Sequence, residues 1–176
     1  PLPRHRSEKD SLRKTEAALA QICKQVLSGL DYLHTRTMPI QHGGLRPSLI
    51  GLSYRGDFKL SLGAEHFYFC LGLPWDGNVT TMGSDYTPPE GRRRTDQQDI
   101  WSVGAIAYER ASGNCFTASN PRRLPTPHYS ELLADFVSVC LQANPAERPT
   151  ARELLVHPFM ARGTPTAVVE WLQSLQ

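Results

Sequence analysis

The chain has 176 residues, 40% of them hydrophobic and 20% charged, which is one domain's worth with enough apolar material for a real core. A net charge of +2 gives no overall electrostatic footprint for nucleic acid, and no apolar run reaches membrane-spanning length. Cys23, Cys70, Cys115 and Cys140 form no C-x-x-C pair and no metal spacing with histidine, so they read as free thiols in a reducing, cytoplasmic compartment.

Residues 1–10 are polar and basic and read as a linker or disordered stretch. The start at Pro1, with no signal peptide, suits a piece of something longer. From residue 11 to 35, Leu12, Leu19, Ile22, Cys23, Val26, Leu30 and Leu33 make one apolar stripe, which predicts a long, central helix. Residues 39–47 carry two prolines and two glycines and form a loop. Residues 49–54 and 58–62 read as two strands of a hairpin. Residues 65–94 are long and irregular, the kind of loop that is usually functional. This stretch holds a glycosylation-like sequon at Asn78-Val79-Thr80 and the basic run Arg92-Arg93-Arg94, read as a solvated loop.

Helical periodicity returns at residues 97–111, with Ile100, Trp101, Gly104, Ala105 and Tyr108 on one face. After a proline-rich loop, residues 129–142 form an amphipathic helix. Thr150 is an expected N-cap, with Glu153 three residues on completing a capping box. A last helix is expected over residues 165–175. Periodicity alone gives a helix-rich domain with one small hairpin.

Six short motifs, taken in order, carry more. His42-Gly43-Gly44-Leu45-Arg46-Pro47-Ser48-Leu49 resembles the protein-kinase catalytic loop H-R-D-L-x-x-x-N. Phe58 to Ala64 resembles the strand that runs into D-F-G. Tyr86-Thr87-Pro88-Pro89-Glu90 looks like the stretch ending in A-P-E. Asp99-Ile100-Trp101-Ser102-Val103-Gly104 looks like D-x-W-S-x-G. Asn144-Pro145 to Arg148-Pro149-Thr150, then Glu153-Leu154-Leu155 and His157-Pro158-Phe159, are similar to the closing segment of serine/threonine kinases, with the STE-like branch the best fit.

The resemblance implies a mainly α fold of the α+β kinase type: a C-lobe helical bundle over residues 11–160, a C-terminal helix in 161–176, and no N-lobe in this chain. No G-x-G-x-x-G, V-A-I-K lysine or paired helix glutamate is found. It also implies roles for residues that are changed. Gly44 stands where the carboxylate that orients the substrate hydroxyl belongs. Leu62, 18 positions on, stands where the magnesium-binding aspartate belongs, and Leu49 where the second metal ligand belongs. Gly63 and Ala64 complete a degenerate D-F-G. Arg46 keeps a positive charge where kinases have lysine. Gly43 replaces an arginine that reads phosphate, and Gly51 an aliphatic support for adenine.

The expectation from these changes is a pseudokinase: no enzyme, no catalytic, cofactor-binding or metal residues, no cofactor, no ATP or magnesium, and a role as scaffold, allosteric partner or structural subunit that binds proteins. Two alternatives stand beside it. One is an unorthodox serine/threonine kinase using a displaced carboxylate such as Asp57, Glu65 or Asp85. The other is a nucleotide-sensing pseudokinase. Glu90, Arg148, Asp99, Trp101 and Gly104 are expected to be architectural, with Glu90 and Arg148 a buried ion pair and Asp99 bonded to the loop backbone beside His42. Thr80, Thr81, Ser84, Tyr86 and Thr87 are candidate phosphorylation sites. His5, His34, His66, His128 and His157 read as surface or capping histidines. The short stretch between Gly113 and Tyr129, with Pro121, Pro125 and Pro127, implies a reduced docking helix.

Overall fold

The structure is a computed structural model that describes residues 4–53, 57–62, 86–91, 95–117, 124 and 128–174, with side chains described from residue 14 on. Helix α1 (Arg4–His34) is the spine of the fold. Its stripe residues Leu19, Cys23, Val26, Leu27 and Leu30 are all buried. Every other helix except the one at residues 131–140 packs closely against it, as do the second hairpin strand and the turn at residues 158–162. The helix starts at Arg4, so the stretch expected as a linker over residues 1–10 is helical from residue 4. Residues 4–10 hold no proline or glycine, and a helix nucleated by the packed stripe propagates through them one hydrogen bond per residue.

After a loop and a 3-10 turn (Pro47–Leu49) come strands β1 (Ile50–Leu52) and β2 (Phe58–Leu60), paired antiparallel with Ile50 opposite Leu60 and Leu52 opposite Phe58. The first strand starts one residue later than expected because Pro47 starts a turn that takes up Leu49, and the second ends at Leu60. The hairpin lies on α1. The Phe58 amide donates to Gln25 Oε1 at 2.6 Å, and Leu60 sits so close to Gly29 that a Cβ there would lie 2.8 Å from Leu60 Cδ1.

Helix α2 (Asp96–Ser112) is buried along residues 98–108. Thr95 caps its start by accepting from the Gln98 amide, and Gly113 ends it in the left-handed region at φ 69°. Helix α3 (Glu131–Cys140) is capped by Ser130 and buries Leu133, Phe136, Val137 and Cys140. It crosses α2 at Gly104, where an added Cβ would come within 2.6 Å of Cys140 Cβ. Helix α4 (Ala151–Leu155) carries the expected capping box of Thr150 and Glu153. Helix α5 (Pro165–Gln173) starts at its predicted residue, with Thr164 as N-cap.

One core joins α1 to α4 and the turn at residues 158–162. Phe116 meets both Trp101 and Tyr108 edge to face, at centroid distances of 6.0 and 5.6 Å. Phe136 packs on Phe159 at 5.4 Å. Among the described residues the result is mostly helical with one two-stranded sheet, as expected. The segment between Gly113 and Tyr129 lies largely outside the described residues, although Phe116 and Leu124 are buried.

Candidate functional site

The site is a loop held between helix ends. Residues 41–46 follow α1 and lie against the first turn of α2. Asp99, fully buried, accepts from the His42 amide through Oδ2 at 2.9 Å and from the Gly43 amide through Oδ1 at 2.8 Å. Gln98 Nε2 donates to the Gly43 carbonyl at 3.4 Å, and Gln41 Nε2 to Asp96 Oδ1 at 3.0 Å. Gly43 has φ 70°, a left-handed conformation that glycine takes without steric cost, so the loop turns here because no Cβ is present.

His42 is buried, and its Nε2 donates to the Ser61 carbonyl at 3.0 Å. The Ser61 amide in turn donates to the Leu49 carbonyl at 2.8 Å. The fold therefore ties the loop at His42 and Leu49 to Ser61, the residue before Leu62. Gly44 is buried, Leu49 half-buried and Leu62 exposed. Arg46 turns back on the loop, donating from Nε to Ser48 Oγ at 3.1 Å and from Nη1 to the Gly44 carbonyl at 3.4 Å. Gly63 and Ala64 lie outside the described residues.

Gly44, Leu49 and Leu62 offer a hard divalent cation no side-chain oxygen, so these three positions do not fit magnesium. Among the described residues no group of three His, Cys, Asp or Glu stands ready to hold a metal. Asp57 is at the far end of the hairpin, where its backbone closes the turn with Ser53. Glu65 and Asp85 lie outside the described residues.

A second anchor lies below the loop. Arg148 and Glu90 form a two-pronged ion pair, Nη1 to Oε1 at 2.5 Å and Nη2 to Oε2 at 2.7 Å. The guanidinium also donates to the carbonyls of Gln142 at 2.8 Å and Gln97 at 3.0 Å. It lies 4.8 Å from the ring centroid of Trp101, which is itself core. Five donors in a planar fork let one buried side chain tie four segments together.

Two contacts were not legible beforehand. His34 is a structural partner, which corrects its reading as a surface histidine: its side chain is 8% exposed and Nε2 lies 2.9 Å from Asp99 Oδ2. A signal existed, since Leu27, Leu30 and His34 follow three- and four-residue steps along the buried face. Tyr86 donates its hydroxyl to Glu109 Oε2 on α2. Burial and the Glu109 carboxylate push the Tyr86 phenol far above its ordinary value. Of the other histidines, His157 caps the Phe159 amide through Nδ1, as expected, and His128 is exposed. His66, Thr80, Thr81, Ser84, the sequon at Asn78 and the run Arg92-Arg93-Arg94 lie outside the described residues, as does the side chain of His5.

Comparison with known proteins gives the frame its family. The model of the protein kinase domain matches residues 3–160. The chain is 35% identical over 175 residues to the serine/threonine-protein kinase shk1/pak1 of Schizosaccharomyces pombe, covering 87% of this chain and 25% of that protein. It is 32% identical over 171 residues to the serine/threonine-protein kinase ste20 of Aspergillus fumigatus, covering 86% of this chain and 20% of that protein. Mitogen-activated protein kinase kinase 2 of Arabidopsis thaliana is 31% identical over 170 residues, covering 82% of this chain and 46% of that protein. The chain thus spans from a fifth to under half the length of these relatives.

These relatives overturn the expectation that the chain is not an enzyme. The Schizosaccharomyces pombe and Aspergillus fumigatus proteins are named serine/threonine-protein kinases, and such names point to enzyme activity. The expectation rested on changed and missing motifs in a segment much shorter than the relatives it matches, and transfer chemistry draws on groups beyond that segment. The chain belongs to the protein kinase domain family, on the serine/threonine, STE-like side.

Proposed function

We propose that the intact protein transfers phosphate from ATP to serine or threonine hydroxyls of a protein, by an unorthodox arrangement in which the needed carboxylates come from outside positions 44, 49 and 62. The observation that carries this reading is the retained frame: Asp99 still grips the loop amides while Glu90 and Arg148 still fasten the segment below it, in a chain whose relatives are named as such kinases. Positioning dominates phosphoryl transfer, so a kept frame is the expensive part of the machinery. The domain is read as residues 11–160, with residues 161–176 as an appended helical segment. The buried thiols Cys23 and Cys140 support a reducing, intracellular location.

The test is transfer of labelled phosphate from ATP to a protein substrate by the full-length protein, with and without magnesium. Transfer that disappears on replacing Glu65 or Asp85 by alanine supports the reading. No transfer by the full-length protein in any metal condition sinks it.

Gly44, Leu49 and Leu62 favour a second role beside the first, since they leave a rigid frame with a changed surface. The module would then also dock a protein partner as a scaffold or allosteric subunit. A full-length protein that runs as a monomer and retains no partner in a pull-down would remove that role.

A further inference from the structure

A cavity of about 240 Å³ lies between the first half of α1, the end of α2 and α5, and no residue of the loop at 41–46 lines it. Its α1 wall is apolar. Ala18 and Leu19 there are buried, and Ile22 packs on the core. Trp171, half-buried, lines the cavity from α5. One residue outside it, Lys14 Nζ lies 3.4 Å from Glu170 Oε2 and joins the same two helices. An apolar cavity of about 150 Å³ holds benzene, so this one has room for a larger ring system. An indole beside it favours a flat aromatic guest.

The wall from α2 is charged. Both oxygens of Glu109 are engaged: Oε2 accepts from the Tyr86 hydroxyl, and Oε1 from Arg110 Nη2 at 2.9 Å. That contact uses one of the five N–H groups of the guanidinium, and the Arg110 side chain is half-exposed. The wall therefore carries more donors than acceptors, and a carboxylate is the group that a planar guanidinium grips best. We propose that the cavity binds a small aromatic carboxylate, with its ring against Trp171 and the apolar wall of α1 and its carboxylate on Arg110. The site does not depend on phosphate transfer.

Cys115 serves as a reporter, since it lines the cavity and is exposed. The experiment uses the full-length protein with naphthoate as the probe. Iodoacetamide labelling of Cys115 is followed by mass spectrometry as the probe is raised to millimolar concentration. Labelling is expected to slow several-fold and to reach a plateau. Uncharged naphthamide should need roughly tenfold more for the same protection, the worth of a hydrogen bond strengthened by charge. Arg110→Gln should erase that difference, and Trp171→Ala should weaken protection by both probes.

Labelling untouched by millimolar naphthoate overturns the proposal. So does equal protection by the two probes, or a preference for naphthoate that survives Arg110→Gln. Unchanged protection in a folded Trp171→Ala protein would place the probe elsewhere and overturn it too. If Trp171→Ala fails to fold, Trp171→Leu, which keeps an apolar side chain and loses the ring, decides by the same readout.

Discussion

Arg148 shows how one side chain can hold a fold. Its charge has no exposed surface, so its stability depends on partners being present in the right geometry. Glu90 supplies two oxygens, Gln97 and Gln142 supply carbonyls, and Trp101 supplies a ring face. Replacing Arg148 by alanine strands the Glu90 carboxylate and opens a gap beside Trp101. The expected loss is about 3–5 kcal/mol, seen as a lower urea midpoint with an unchanged slope. Arg148→Lys should recover only part of it, because a single ammonium cannot reproduce the fork. A midpoint unmoved by the alanine change would show that the pair does not hold the segment.

Between elements, the contact that decides the architecture is the crossing of α2 and α3 at Gly104. A methyl group there would meet Cys140 Cβ at 2.6 Å and Leu141 side-chain atoms at 3.0 Å, and Cys140 Cβ, bonded directly to the backbone, cannot swing away. Gly104→Ala should therefore force the helices apart and cost about 1–3 kcal/mol. Gly51→Ala is the control, since its nearest neighbour would be the Lys59 carbonyl at 3.9 Å. Thermal melting should rank the first well below the second. Equal melting temperatures would mean that the crossing has room to relax. The same scale explains the extra helix at residues 4–10: local propensity was adequate, and attachment to a packed helix let it be realised.

Across the whole molecule, Cys23 and Cys140 lie in one core formed by α1, α2 and α3, while Cys115 is exposed. Burial pushes the Cys23 thiol up to about 12 and that of Cys140 well above its ordinary value. Folding thus favours the neutral thiols. The contribution of these two thiols to stability is constant below about pH 9 and is lost as the pH rises from there toward the raised value of Cys23. In native protein near neutral pH, an alkylating reagent should modify Cys115 promptly, and Cys23 and Cys140 only at the rate of unfolding. Labelling of Cys23 as fast as Cys115 would show that the core opens without global unfolding.

The order of motifs, the long apolar stripe, the hairpin and the Thr150 capping box were all readable, because each rests on spacing along one stretch of chain. The pairing of Glu90 with Arg148 and of Asp99 with the loop was expected from the resemblance, and the geometry matches. His34 was misread because a histidine's role depends on what lies opposite it, and Asp99 is 65 positions away. The bond from Tyr86 to Glu109 was hidden for the same reason. Activity was misjudged for a different one. The lack of a side-chain oxygen at Gly44, Leu49 and Leu62 is a fact of the sequence, but the relatives' chemistry belongs to longer proteins than this segment. The sequence by itself determined the family frame and the order of elements, since those follow from periodicity and local motifs. Only the tertiary structure decided which polar groups meet, because buried donors and acceptors find partners through packing of distant elements.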